Sequence, residues 1–158
     1  MKTETFTKLD GYLNRPSELR EAIAEYIRSL GITPTEQYVI VFEYLLKNRT
    51  HPTVDEIYHS ISRSVSDISR SRIYSILDIL GRIGAINVVG FDKYTIHYDS
   101  NTAPHAHFLC EKCGDVSDLK MCENVSHMME QYPDVSFRKV QLLFSGLCAK
   151  CLAEEGIN

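Results

Sequence analysis

Residues 51–99 read HPTVDEIYHSISRSVSDISRSRIYSILDILGRIGAINVVGFDKYTIHYD, and the signals within them decide the fold. His51-Pro52 breaks the chain, because proline fixes φ and has no N–H to donate. Thr53-Val54-Asp55-Glu56 is a capping box: the threonine hydroxyl and the glutamate three residues on satisfy each other's orphan backbone donors. A short helix therefore opens there and runs to about Ile61. Arg63–Ile68 is a polar turn. Ser69 caps a second helix, Arg70–Ile83, with Ile73, Ile76, Leu77 and Leu80 inward and Gly84 at its end. Ile86–Val89 and Tyr94–Tyr98 are β-rich runs around Gly90-Phe91-Asp92-Lys93, the pattern of a hairpin. Helices followed by a hairpin are the order of a winged helix-turn-helix, with Thr53–Ile83 as its helix-turn-helix half.

Toward the N-terminus, Ser17 reads as the cap of a helix Glu18–Leu30, with Leu19, Ile23, Tyr26, Ile27 and Leu30 in one apolar stripe and Gly31 as the stop. Thr33-Pro34-Thr35-Glu36 supplies a cap, a first-turn proline and an acidic residue three positions after the cap. The helix that follows, through Tyr38, Val41, Phe42, Leu45 and Leu46, is apolar nearly all round and belongs at the centre of the core. Residues 1–16 show no clear period.

Toward the C-terminus the pattern changes after Asp99. Ser100–Pro104 is turn-rich and reads as a linker. Short strands at 106–110 and 115–119 flank Cys110-Glu-Lys-Cys113-Gly114. Glu123–Tyr132 reads as a helix stopped by Pro133, Ser136–Phe144 as a strand, and Cys148-Ala-Lys-Cys151 closes the module. Charge marks the same division. Residues 1–93 carry twelve Lys/Arg and twelve Asp/Glu, whereas residues 94–158 carry five and nine, which accounts for the whole net charge of −4. An acidic total argues against indiscriminate coating of nucleic acid but permits a local basic face. A chain of 158 residues is one large domain or two small ones. Nowhere do 18 apolar residues run together, so no transmembrane helix is expected. The opening MKTETFTKLDGYL lacks the apolar stretch of a secretory signal. The expectation is a cytoplasmic protein without a membrane partner, whose cysteines stay reduced.

Five cysteines then need a reason other than disulfides. Cys110-x2-Cys113 and Cys148-x2-Cys151 each place two sulfurs on one tight turn. Four thiolates at about 2.3 Å form a closed tetrahedral zinc site, structural because no position remains for water. The competing reading is a set of buried or redox thiols. Cys122 has no partner in this scheme and reads as a small core residue. His105-Ala106-His107 puts two imidazoles on one face of a strand, with Cys110 of opposite parity. Asp99 lies just upstream, Asp118 is on the facing strand, and His51 is in the other module. A surface histidine pair is the bland alternative. Together the three imidazoles and two carboxylates are borderline-to-hard donors with room for a sixth ligand, which suits Fe(II), Mn(II) or Zn(II). His59, His97 and His127 read as plain surface or core residues. Arg63, Arg70 and Arg72, with the hydroxyls of Ser69, Ser71, Tyr74 and Ser75, cluster around the start of the second helix of the motif. In a helix-turn-helix that end enters the major groove; a solvated helix end is the alternative.

The whole arrangement resembles the ferric-uptake-regulator family of metal-dependent bacterial repressors. The resemblance lies in His51-Pro-Thr-Val-Asp-Glu-Ile-Tyr58, Ser69-Arg-Ser-Arg-Ile-Tyr74, His105-x-His107-x2-Cys110-x2-Cys113-Gly114 and Cys148-x2-Cys151, and spans about Thr33–Cys151. It implies an α+β chain with a winged-helix DNA-binding domain at 1–98, a hinge at 99–104 and a small α/β zinc-stabilised dimerisation domain at 105–158. It places structural zinc on Cys110, Cys113, Cys148 and Cys151, and a regulatory Fe(II) or Mn(II) on His51, Asp99, His105, His107 and Asp118. Aspartate at both Asp99 and Asp118 is similar to the peroxide-sensing, PerR-like branch, since iron-sensing members commonly have glutamate there. The implied partners are a second copy of the chain and palindromic operator DNA. The implied signal is oxidation of a histidine ligand by peroxide when iron is bound. An iron-responsive repressor without peroxide chemistry is the alternative within the family.

This sequence departs from the family at Arg72, where threonine is usual, at Ser71, where alanine is usual, and at Thr35-Glu36, where a basic residue is common. Ala106 and Val125 stand at ligand positions of the family's optional third metal site, and 136–147 contains no histidine. Two other function classes compete. A metalloenzyme would use the His/Asp ion to activate water, but no general base or Gly-rich substrate loop accompanies it. A zinc-stabilised interaction module would lack the DNA contacts.

Overall fold

The computed structural model describes residues 9–65, 67–90, 95–120, 123–137 and 140–156. The fold is α+β, a winged helix-turn-helix followed by an α/β unit. The chain divides into two compact units, Met1–Ala103 and Pro104–Asn158. No helix of the described residues is long and apolar enough to cross a membrane.

In the first unit, α1 (Pro16–Ser29) buries Leu19, Ile23 and Ile27 along one stripe. Its cap is Arg15 and not the expected Ser17, because Pro16 takes the first turn, where its fixed φ suits the helix and its missing N–H costs nothing. Helix α2 (Glu36–Lys47) likewise starts later than expected. Thr35, not Thr33, is the cap, and its hydroxyl accepts the Tyr38 N–H at 3.5 Å. Starting there turns Tyr38, Val41, Phe42, Leu45 and Leu46 inward. Upstream, Leu9 is buried in the same core, with Tyr12 and Leu13 packed against it, although the sequence around them shows no period.

Helix α3 (Val54–Ile61) opens on the predicted capping box. Glu56 Oε2 accepts the Thr53 N–H at 2.7 Å, and Thr53 Oγ1 accepts the Glu56 N–H at 3.3 Å. Helix α4 (Arg70–Arg82) is capped by Ser69, whose hydroxyl accepts the Arg72 N–H at 3.2 Å. Its buried face is Ile73, Ile76, Leu77 and Leu80. The wing is an antiparallel pair, β1 (Asn87–Gly90) and β2 (Ile96–Asp99), with Val88 opposite Tyr98 and Asn87 opposite Asp99. Both strands sit a residue or two later than the sequence pattern suggests. Of the expected turn Gly90–Lys93, residues 91–93 lie outside the described residues. Helix and wing approach closely at Gly81, where an added Cβ would stand 2.7 Å from Val88 Cγ2.

The second unit is a three-stranded sheet in the order β4-β3-β5. Strand β3 (Ala106–Cys110) runs antiparallel to β4 (Val116–Leu119), with His107 opposite Asp118. It runs parallel to β5 (Leu142–Gly146), with Cys110 opposite Gly146. Helix α5 (Glu123–Glu130) lies in the crossover between β4 and β5, and α6 (Ala149–Glu154) ends the unit. The strand expected at 136–144 is found at Leu142–Gly146, and residues 138–139, like Cys122, lie outside the described residues. The shift has a plain cause: alternation is a weak guide on an edge strand, and β5 exposes both Leu143 and Phe144.

Candidate metal centres and nucleic-acid interface

The knuckle between β3 and β4 is shaped by its backbone. The Gly114 N–H donates to the Cys110 carbonyl at 2.8 Å, and the Cys110 N–H donates to the Asp115 carbonyl at 2.9 Å. Gly114 has φ +74°, a conformation costly for residues with a Cβ, and this lets the chain reverse within the motif. Across the unit, Cys148 precedes α6, and its N–H donates to Cys110 Sγ at 3.3 Å. The four sulfurs of Cys110, Cys113, Cys148 and Cys151 lie within 4.8 Å of one another. The Cys113 and Cys148 sulfurs are 3.9 Å apart. That is close to the edge of about 3.8 Å of a tetrahedron with 2.3 Å metal–sulfur bonds, and far beyond the roughly 2.05 Å of a disulfide. Cys110 and Cys151 are buried and Cys113 is exposed. Backbone N–H groups of Cys113 and Cys148 pull the Cys110 thiol down to about 6, whereas burial pushes Cys151 up to about 12. One thiolate thus forms readily, and four adjacent negative charges require a cation. The donor set is of the kind that holds structural zinc.

Each unit also carries nitrogen and oxygen donors. In the second, His105 Nε2 and His107 Nε2 are 2.9 Å apart. Asp118 Oδ1 lies 3.2 Å from the first and 3.8 Å from the second. Two nitrogens cis to each other at about 2.1 Å from one ion stand about 3.0 Å apart, so the spacing fits a metal. Both histidine side chains are buried, while Asp118 is 44% exposed. The pairing of His107 with Asp118 across β3 and β4 brings this trio together.

In the first unit, His51 and Asp99 are both buried, with ligand atoms within 4.8 Å of each other. His51 has φ +53°, the one left-handed residue other than glycine among the described residues. Such a conformation persists only where its surroundings enforce it. Here the enforcement comes from β2. His97 Nδ1 donates to the His51 carbonyl at 2.7 Å, and the Tyr98 N–H donates to the Pro52 carbonyl at 3.0 Å. His97, which the sequence leaves as plain surface or core, is therefore the brace of the His51 turn. Burial along β2 does not alternate, being exposed at Ile96 and buried at His97, Tyr98 and Asp99, so no period in the sequence pointed to His97. His59 and His127 are exposed.

The helix-turn-helix face carries its predicted polar residues at or near the start of α4. Arg63, Ser69, Arg70, Ser71, Tyr74 and Ser75 are exposed and Arg72 is half-buried. Ser75 Oγ donates to the Ser71 carbonyl at 2.9 Å. The two arginines are held by neighbours that the sequence reading does not single out. Arg70 pairs with Asp55 and lies 4.1 Å over the Tyr58 ring. Arg72 donates from Nε to Gln37 Oε1 at 2.9 Å. Hydroxyls, guanidinium groups and a helix start of this kind can hold phosphates and read base edges.

Comparison with known proteins agrees with these features. The sequence profile described as the ferric uptake regulator family matches residues 29–144. The chain is 32% identical over 141 residues to the peroxide-responsive repressor PerR of Staphylococcus epidermidis (strain ATCC 12228 / FDA PCI 1200), covering 88% of this chain and 93% of the relative. It is 33% identical over 139 residues to the PerR of Staphylococcus aureus (strain Mu50 / ATCC 700699), covering 85% and 91%. Among solved structures, the Helicobacter pylori ferric uptake regulator Fur superposes with a TM-score of 0.69 at 24% identity, over 84% of this chain and 93% of that one. The Campylobacter jejuni peroxide stress regulator does so with a TM-score of 0.63 at 22% identity, over 80% and 94%. These two likenesses concern the fold. With the profile matched over most of its length and relatives above 30% identity, the chain belongs to the ferric uptake regulator family of metal-dependent transcription regulators.

Proposed function

We propose that the chain is a cytoplasmic, dimeric, metal-dependent repressor of peroxide-stress genes. In this reading residues 1–98 bind DNA, 99–104 act as a hinge and 105–158 dimerise, with zinc at Cys110, Cys113, Cys148 and Cys151. His51 and Asp99 from the first unit and His105, His107 and Asp118 from the second hold the regulatory ion, Fe(II) or Mn(II). Arg63, Ser69, Arg70, Ser71, Arg72, Tyr74 and Ser75 face the operator. The observation that carries the proposal is the donor set. Within each unit it consists of nitrogen and oxygen atoms only, His51 with Asp99 in the first and His105, His107 and Asp118 in the second; aspartate stands at both carboxylate positions, and the relatives with the highest identities quoted above are named peroxide-responsive repressors. The exposed apolar residues of the second unit, Phe144 and Tyr132 among them, support a dimer that covers them.

Because the ligands come from both units, metal binding favours one arrangement of reading head and hinge. It shifts that balance only by its difference in affinity between the two arrangements, and about 5.5 kcal/mol takes a 1:99 population to 99:1. When bound, Fe(II) supplies the one-electron reduction of peroxide that oxidises a histidine beside it, chemistry that Mn(II) does not readily perform. The test is to load the protein with each ion, add low peroxide, and follow operator binding and peptide mass. One added oxygen on the peptide bearing His51, or on that bearing His105 and His107, with loss of DNA binding in the iron form only, is the expected result. Unmodified histidines and retained DNA binding in the iron form would reject peroxide sensing in favour of plain iron response.

A further inference from the structure

The start of α4 carries two arginines two positions apart, so their side chains leave the helix about 200° apart around its axis. Their surroundings differ in kind. Arg70 is neutralised: Nε pairs with the Asp55 carboxylate, Nη2 is 3.4 Å from His59 Nε2, and the guanidinium lies over the Tyr58 ring. Anion, imidazole and ring all come from α3, so Arg70 braces one helix of the motif against the other.

Arg72 is held by neutral groups from α2. Gln37 Oε1 accepts from Arg72 Nε at 2.9 Å, and the Tyr38 ring centroid lies 5.6 Å from the guanidinium carbon. Gln37 is itself fixed, since its Nε2 donates to the Asp67 carbonyl, in the turn before α4, at 3.3 Å. An amide has one acceptor oxygen and one donor nitrogen. Bonding both restrains the Gln37 side chain in this orientation. Of the Arg72 guanidinium, only Nε is engaged in a hydrogen bond among the described residues. Its two terminal Nη groups keep the planar fork that matches the O6 and N7 acceptors of guanine, and the neutral partner leaves the full charge in place.

We infer that Gln37 is a specificity-determining positioning residue that aims Arg72 at a guanine in each operator half-site, while Arg70 acts as a structural brace. The inference rests on the DNA-binding reading above and assigns its base selectivity to a residue outside the helix-turn-helix. The sequence preference of the Mn(II)-loaded full-length protein would be obtained by selection from a randomised duplex library. Each position of the best-bound duplex would then be substituted in turn and binding measured across a salt series.

Arg72→Ala should abolish one guanine preference per half-site, a loss of about tenfold in discrimination. Gln37→Met, similar in size but without an acceptor, should weaken that same preference several-fold, with other positions and the salt slope unchanged. In the Arg72→Ala background it should have no further effect. Gln37→Glu, which keeps the acceptor but loses the donor to Asp67 and sets a negative charge against Arg72, should keep more of the preference than Gln37→Met, at lower overall affinity. Gln37→Met that alters no position, or flattens all alike, would overturn the assignment, as would an intact guanine preference in Arg72→Ala. A wild-type protein that selects no sequence at all would sink the regulator reading itself and this inference with it, a result distinct from unchanged selectivity in the variants.

Discussion

The two units of this chain hold themselves together by different means. In the first, Leu19, Ile23, Phe42, Leu45, Ile57, Ile73, Leu77 and their neighbours form one buried cluster drawn from α1, α2, α3 and α4. Among the described residues of the second, the buried apolar ones are few, namely Ala106, Val116 and Val125 beside Cys110 and Cys151. Larger ones, Met128, Tyr132 and Phe144, are each about half exposed at 51%, 54% and 51%. A unit of some 55 residues with so small a core falls in the size range where metals, disulfides or association make up the deficit. The first unit is stabilised by burial, whereas the second brings four sulfurs within 4.8 Å of one another, a donor set of the kind that holds structural zinc.

The largest expected effect tests the second half of that contrast. Cys113→Ser or Cys148→Ser should unfold the second unit and abolish dimerisation, since structural zinc sites contribute about 10–16 kcal/mol in small zinc-dependent modules. A variant that remains dimeric with unchanged thermal stability would overturn the zinc assignment. Leu77→Ala tests the first half. Its side chain is fully buried, so thermal or denaturant unfolding of the first unit should show a loss of about 2–5 kcal/mol, with zinc content unchanged. Equal damage to zinc retention would show that the units are not independent in stability.

A smaller effect concerns Glu43, buried between Lys47 Nζ at 2.6 Å and Arg20 Nε at 2.8 Å. Burial pushes its carboxyl up, but the bonds to Lys47 and Arg20 prevail and hold it below the ordinary glutamate value. A carboxyl depressed in the folded state stabilises above its unfolded pKa of about 4.3 and loses that contribution as the pH falls through its folded value. Wild type should therefore exceed Glu43→Gln in stability by about 1 kcal/mol at neutral pH, both cations being partly exposed. The gap should close in acid titrations below pH of about 4. A gap that stays constant with pH would mean packing, not charge, is at stake. The smallest change is Thr53→Ala, which removes the capping hydroxyl of α3 and should cost about 1 kcal/mol. An unaltered unfolding midpoint would show that packing alone fixes the start of that helix.

Most of the first unit was legible in its letters because its devices are local. The Thr53–Glu56 box, the Ser69 cap and the stripes of α1 and α4 each work within a few residues. Where two local devices competed, as Pro16 against Ser17 or Thr35 against Thr33, the sequence could not rank them. The cysteine cluster was legible from spacing alone, and the facing of His107 and Asp118 followed from one tight turn. The parts that were not legible depend on contacts across long separations. These include the left-handed turn at His51, its brace His97 46 residues away, and the hold of Gln37 on Arg72 across 35. Position β5 was misplaced for the same reason, because a parallel edge strand takes its register from β3 and not from its own pattern.

That parallel pairing bears on how the protein is made. Because β5 joins the sheet beside β3 after a long crossover, the first cysteine pair leaves the ribosome well before the second; Cys148 follows Cys113 by 35 residues. At about 5–20 residues per second this separation lasts about 2–7 s. Throughout that window a nascent chain presents two of the four thiols, with the other two still unsynthesised. On the zinc assignment, metal supply and redox poise during translation should bear on how much of the chain matures correctly.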